Sequence, residues 1–194
     1  MWIRRSAIPP VPRYARVPES AVAAIESAFG GADERAQRLA TEGFERFRIR
    51  QAALSEYFGR ELSPSRDEKA LALGYMLSIA VFGAFEEHAG AGLRSLDADA
   101  VAAADAAIGA DEQLRRADPV DALDSEDIIA IDQPALVAFV NEHIGRTIER
   151  YADSIDVDDV AAVFRALLVQ ILALSSAVPA PPGFADAAHE GPMA

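Results

Sequence analysis

Fifteen consecutive residues, LALGYMLSIAVFGAF at 71–85, carry no charge, and Glu86-Glu87-His88 close the run. No other stretch constrains the fold as much, because a helix that is apolar on nearly every face needs cover on nearly every side. The cover could be lipid, a bound metal at the acidic and histidine end, or other helices. Fifteen residues fall short of the roughly 20 that cross a bilayer, and acids as well as bases flank the run. The expectation is therefore a central helix at about 66–89, started by a capping box of Ser65 and Glu68 and stopped by Gly90 and Gly92. Within it Gly74, Ser78, Ala80, Gly83 and Ala84 interrupt the bulk. Small side chains let a neighbour approach closely, which offsets part of the roughly 1 kcal/mol that each interior glycine costs.

A second central helix is predicted at about 157–177, capped by Asp156. Its Val160, Val163, Phe164, Leu167, Leu168, Ile171, Leu172 and Leu174 exceed one stripe and call for more than one partner surface. Around these two the pattern places a short helix after Pro18, with Ala21, Val22, Ile25 and Phe29 inward and Gly30-Gly31 as its stop. A long helix follows at about 33–60, with Ala36, Ala40, Phe44, Phe47, Gln51, Leu54 and Phe58 on one stripe. Another spans about 97–117, capped by Asp97, with Val101, Ala104, Ile108 and Leu114 inward and Asp118-Pro119 closing it. The last, capped by Asp132, spans about 133–151 with Leu136, Val140, Ile144, Ile148 and Tyr151 inward. IIAI at 128–131 is the sole strand-like run. The fold class is all-α, a helical bundle of about six helices. Residues 1–17 read as an extended basic proline-rich arm, 18–178 as a single helical domain, and 179–194 as a Pro/Gly/Ala-rich tail.

Charge narrows the function. The net charge is −13, with 12 basic and 10 acidic residues up to Lys69 but 6 and 21 beyond it. The second field repels phosphate backbones and anionic membranes, so neither nucleic acid nor membrane is the expected partner. Arg46, Arg48 and Arg50 sit among acids, and Glu34 to Arg38, Glu42 to Arg46 and Glu56 to Arg60 have the spacing of solvated i,i+4 pairs. Cysteine is absent, which removes thiol chemistry and thiolate metal sites. Lys69 is the only lysine beside 17 arginines, a bias that suggests a bacterial coding sequence. No long apolar stretch follows Arg4 and Arg5, so no secretory signal is read and a cytoplasmic location is expected.

Catalytic constellations are not found. Glu86-Glu87-His88 and Glu142-His143 lack the Glu-x-x-His spacing that brings two ligands to one helix face. His88 suits the last turn of its helix, where a cation opposes the macrodipole. The acids at 118–132 have no glycine for a calcium loop and read as a solvated linker. Phosphate-loop, dinucleotide and nucleophile-elbow patterns do not occur. No catalytic residue, metal ligand or cofactor is assigned.

The function expected from these observations is non-enzymatic: an adaptor, assembly subunit or neutralising partner that binds another protein or forms a homo-oligomer. Surplus apolar helix surface and the terminal arms motivate it, and the candidate contacts are Arg4, Arg5, Arg13, Arg16, Phe164, Leu168 and Leu172. The alternative is a small-molecule-binding or metal-dependent helical enzyme with a site near His88, His143 or Tyr75. A third reading has the acidic half engage a basic partner.

Overall fold

The computed structural model describes residues 6–30, 34–62, 67–117 and 124–184, apart from the side chain of Ala36. Arg4, Arg5, the Ser65 cap, the Asp118-Pro119 stop and the final ten residues lie outside them. Among the described residues every regular element is helical: α1 Glu19–Phe29, α2 Glu34–Arg50, α3 Ala52–Glu61, α4 Glu68–Ala89, α5 Ala98–Ala117, α6 Ser125–Asp132, α7 Pro134–Arg150 and α8 Val157–Ala177. Short 3-10 turns at Arg13–Ala15 and Gly90–Gly92 complete the order. The all-α bundle expected from the sequence is the fold.

The two central helices lie where the apolar runs put them. α4 packs on α8, α1, α2 and α7, and α8 packs on α3, α5, α6 and α7 as well. All residues at 77–85 and at 166–175 are buried. Leu77, Phe82 and Phe85 are fully enclosed, each stabilising the fold by about 1.5–3 kcal/mol relative to exposure. The small residues of α4 serve close packing: a Cβ on Gly74 would stand 2.7 Å from Leu62 Cδ1 and 3.2 Å from Val163 Cγ2. Both central helices are long and apolar enough to cross a membrane on length and composition, yet 67% and 72% of their most apolar windows are buried inside the chain.

α4, α5 and α8 start where polar side chains accept their first N–H groups. Asp67 accepts from Lys69 and Ala70, Asp97 from Ala100, and Asp156 from Asp158 and Asp159. Two helix ends are closed by arginines. Arg16 donates to Ile131 O and Asp132 O at the end of α6, and Arg94 to Ser176 O and Ala177 O at the end of α8. Cationic donors at a helix C-terminus satisfy orphan carbonyls and oppose the macrodipole.

Four expectations need correction. The long helix at 33–60 is two helices, because the backbone breaks at Gln51 (φ −133°, ψ 54°). The fully buried Gln51 carboxamide instead bridges the loop after α4, donating to Arg94 O (2.9 Å) and accepting from Leu96 N (3.0 Å). The acidic segment, with its strand-like IIAI, holds a two-turn helix, α6, started by a reciprocal capping box of Asp124 and Asp127. Asp132 does not cap α7, which begins with Pro134 in its first turn; Asp132 accepts from Val11 N across the fold. On α5 the inward stripe runs Val101, Ala104, Ile108 and Asp111, and Leu114 is half exposed to solvent.

Candidate functional site

Residues 6–17 form a strap along the bundle. Ile8, Ala15 and Val17 are buried in the core, although prolines keep the segment extended. Its backbone bonds go to distant side chains: Val17 N donates to Gln133 Oε1 (2.9 Å), and Gln133 Nε2 donates to Ala15 O (2.7 Å) and Ser175 Oγ (2.9 Å). At its start Ser6 Oγ donates to Asp111 Oδ1 (2.7 Å), and Asp111 also accepts from Ser125 Oγ (2.9 Å). His88 Nε2–H donates to Tyr14 O (2.8 Å), and Tyr14 meets Phe184 edge to face at 4.8 Å. Between the strap and the alanine-rich face of α5 runs a cleft of about 430 Å³, floored by Leu172 and Ala173.

These contacts place the residues singled out from the sequence. Of Arg13 and Arg16, both expected to meet a partner, Arg13 is exposed on the strap and Arg16 spends its guanidinium on α6. Phe164 is half buried, and Leu168 and Leu172 are only 5% and 6% exposed, held inside the chain's own core. The apolar surplus of α8 is thus consumed by five neighbouring helices. The two histidines stand apart: His88 on the strap, His143 with its Nδ1–H on Phe139 O (3.1 Å) and its ring 4.4 Å from that of Phe139. Tyr75 lies edge-on to Phe44. Among the described residues no three metal-ligating side chains converge.

A charged polar cluster joins α3, α5 and α8. Arg165 donates to Asp105 Oδ1 (2.7 Å) and Glu112 Oε1 (2.9 Å), and Tyr57 Oη donates to the same Asp105 oxygen (3.3 Å). Burial, with the negative charges of Asp105 and Glu61, drives the Tyr57 phenol above its ordinary range. Burial alone would weaken the Arg165 cation, but its bond to Asp105 and the charge of Glu112 outweigh that and hold its pKa above the usual value. A phenol held neutral and an arginine held charged make a clamp between helices; neither group is poised for proton transfer near neutral pH.

Two surface clefts flank α7. At its C-terminal half a cleft of about 410 Å³ is lined by Glu68, Lys69, Ala72, Leu73, Met76, Thr147 and Tyr151. Here both helices lose cover together. Leu71 and Tyr75 are half buried and Met76 is 46% exposed, while Ile144, Ile148 and Tyr151, expected inward, pack against the core but are only partly buried. Lys69 Nζ stands 5.8 Å from the centre of the Tyr151 ring. At the other half a cleft of about 440 Å³ separates α7 from α1. Sequence periodicity missed both surfaces, because it reports which residues share a face and not where along a helix its neighbour stops. The signal available in α4 was slight: Glu68 and Lys69 at its start are charged, but the run that follows, 71–85, is not. Comparison of the chain with protein-family models, with characterised proteins and with solved structures finds no match.

Proposed function

We propose that this chain is a non-enzymatic, cytoplasmic protein-interaction protein, and that the open α4–α7 cleft receives the apolar face of a partner's helix. The observation that carries the reading is the joint loss of cover on two adjacent helices. α4 and α7 are each more fully enclosed over one half than over the other, and Ala72, Met76, Thr147 and Tyr151 of the less enclosed halves line one cleft. Its lining of methionine, tyrosine and leucine has the composition of interface cores, where Met and Tyr are enriched. A furrow between two helices fits an i,i+3,i+4,i+7 stripe of a third. Glu68 and Lys69 at the edge supply charges of both signs for a polar rim.

Met76 gives a direct readout, as it is one of three methionines in the chain and the only one among the described residues. In protein labelled with carbon-13 at the methionine methyls, its resonance should shift on titration with a neutral 18-residue helical peptide bearing leucines at that spacing. Met76→Glu, at a half-exposed position, should keep the wild-type melting temperature within about 2 °C and weaken binding at least ten-fold. An unmoved Met76 resonance at millimolar peptide, or equal affinity in the variant, refutes the reading. A resonance that moves when the protein alone is diluted identifies a second copy as the occupant.

A further inference from the structure

We infer that the α1–α7 cleft is a second docking surface, whose occupant is a basic amphipathic helix. Each wall is a two-turn stripe with the same plan. α1 contributes Glu19, Val22, Ala23 and Glu26, and α7 contributes Ala135, Ala138, Phe139 and Glu142. Both follow the i,i+3,i+4,i+7 spacing that keeps residues on one helix face. Val22 and Phe139 form a packed apolar floor, 7% exposed each, while Ala23 and Ala138 are exposed and small enough to let a partner's backbone approach closely. Acids occupy three of the four ends. Glu19 and Glu26 have no cationic partner among the described residues, and Glu142 shares Arg146 of its own helix. The cleft thus presents apolar surface between carboxylates about 10 Å apart along α1. Its complement is a helix with an apolar stripe and lysine or arginine at positions seven apart. A neutral or acidic helix would leave those carboxylates partly desolvated without a counter-charge.

The test separates this surface both from the general attraction of a −13 chain for any cation and from the α4–α7 cleft. The probe is a fluorescent 18-residue helical peptide with a leucine stripe and lysines at i and i+7, measured by anisotropy at 50 and 500 mM salt. Its controls carry glutamine, or glutamate, at those two positions. Glu19→Gln with Glu26→Gln should weaken the lysine peptide about ten-fold at low salt, in line with two screened surface pairs. Glu56→Gln with Glu87→Gln, which removes the same charge from exposed positions elsewhere, should change it by less than two-fold, and Met76→Glu likewise. Circular dichroism confirms that each variant keeps its helicity. Equal losses in the two double variants, or equal affinity of the Met76→Glu protein, whose other cleft is blocked, for the lysine and glutamine peptides, would overturn the inference. Loss of lysine-peptide binding in Met76→Glu would also overturn it, by placing that peptide in the other cleft.

Discussion

Gln51, Gln133 and Gln170 are all fully buried, yet their amides are spent differently. Gln133 uses both ends of its carboxamide, holding the Val17 N–H, the Ala15 carbonyl and the Ser175 hydroxyl. Gln170 donates to Ser78 O (2.8 Å), but its Oε1 has no hydrogen-bond donor among the described residues. A buried polar group with partners is worth little net, whereas stranding its partners costs their full desolvation, about 1–3 kcal/mol each. Gln133→Leu should therefore lower the unfolding free energy by about 2–4 kcal/mol, since it strands a buried N–H and a buried carbonyl. Gln170→Met, close in volume, removes an orphaned oxygen and leaves Ser78 O with its helical N–H donor inside α4, so it should be neutral or stabilising by up to about 1 kcal/mol. Urea denaturation of the two variants checks the contrast, and similar losses in both would refute it. Neither role was legible in the sequence: Gln51 fits the inward stripe of its helix by spacing alone, and its partners at residues 94 and 96 are more than forty positions away.

At the scale of elements, the long helices were legible and the joints were not. α4 and α8 announce themselves because twenty or more residues of pattern average out local exceptions; Asp156 caps α8 as expected, while Asp67, not named from the sequence, caps α4. α6 escapes that averaging: in eight residues the β-branched run 128–131 outweighs the capping box that starts the helix. The Tyr57, Asp105 and Arg165 cluster is a tertiary joint of the same kind, assembled from three helices. It makes stability depend on alkaline pH. The folded chain holds the Tyr57 proton more tightly than the unfolded chain does, so its contribution is complete below the unfolded pKa of about 10 and falls as pH rises beyond it. Melting temperatures between pH 7 and 11 should show a steeper fall above pH 10 for the wild type than for Tyr57→Phe. Parallel curves would show that the phenol carries no such linkage.

For the whole molecule, the apolar excess that suggested a partner is largely closed within one chain, and the unclosed remainder sits at the flanks of α7. Leu168 and Leu172 lie in the core, so Leu168→Asp should unfold the protein, with loss of the helical circular dichroism signal and of its cooperative melt. A folded, merely dissociated variant would return α8 to the interface expected from its sequence. The candidate clefts were not legible because Ile144, Ile148 and Tyr151 have inward spacing whether or not a neighbouring helix extends far enough to meet them. The strap carries a consequence for biosynthesis. Val17 finds its seat at Gln133, 116 positions later. At roughly 5–20 residues per second the nascent segment waits on the order of ten seconds outside the ribosome before that seat is even translated. Ile8, Ala15 and Val17 lack that seat throughout the interval, so a message broken before the Gln133 codon yields a product whose strap is standing bait for chaperones and proteases.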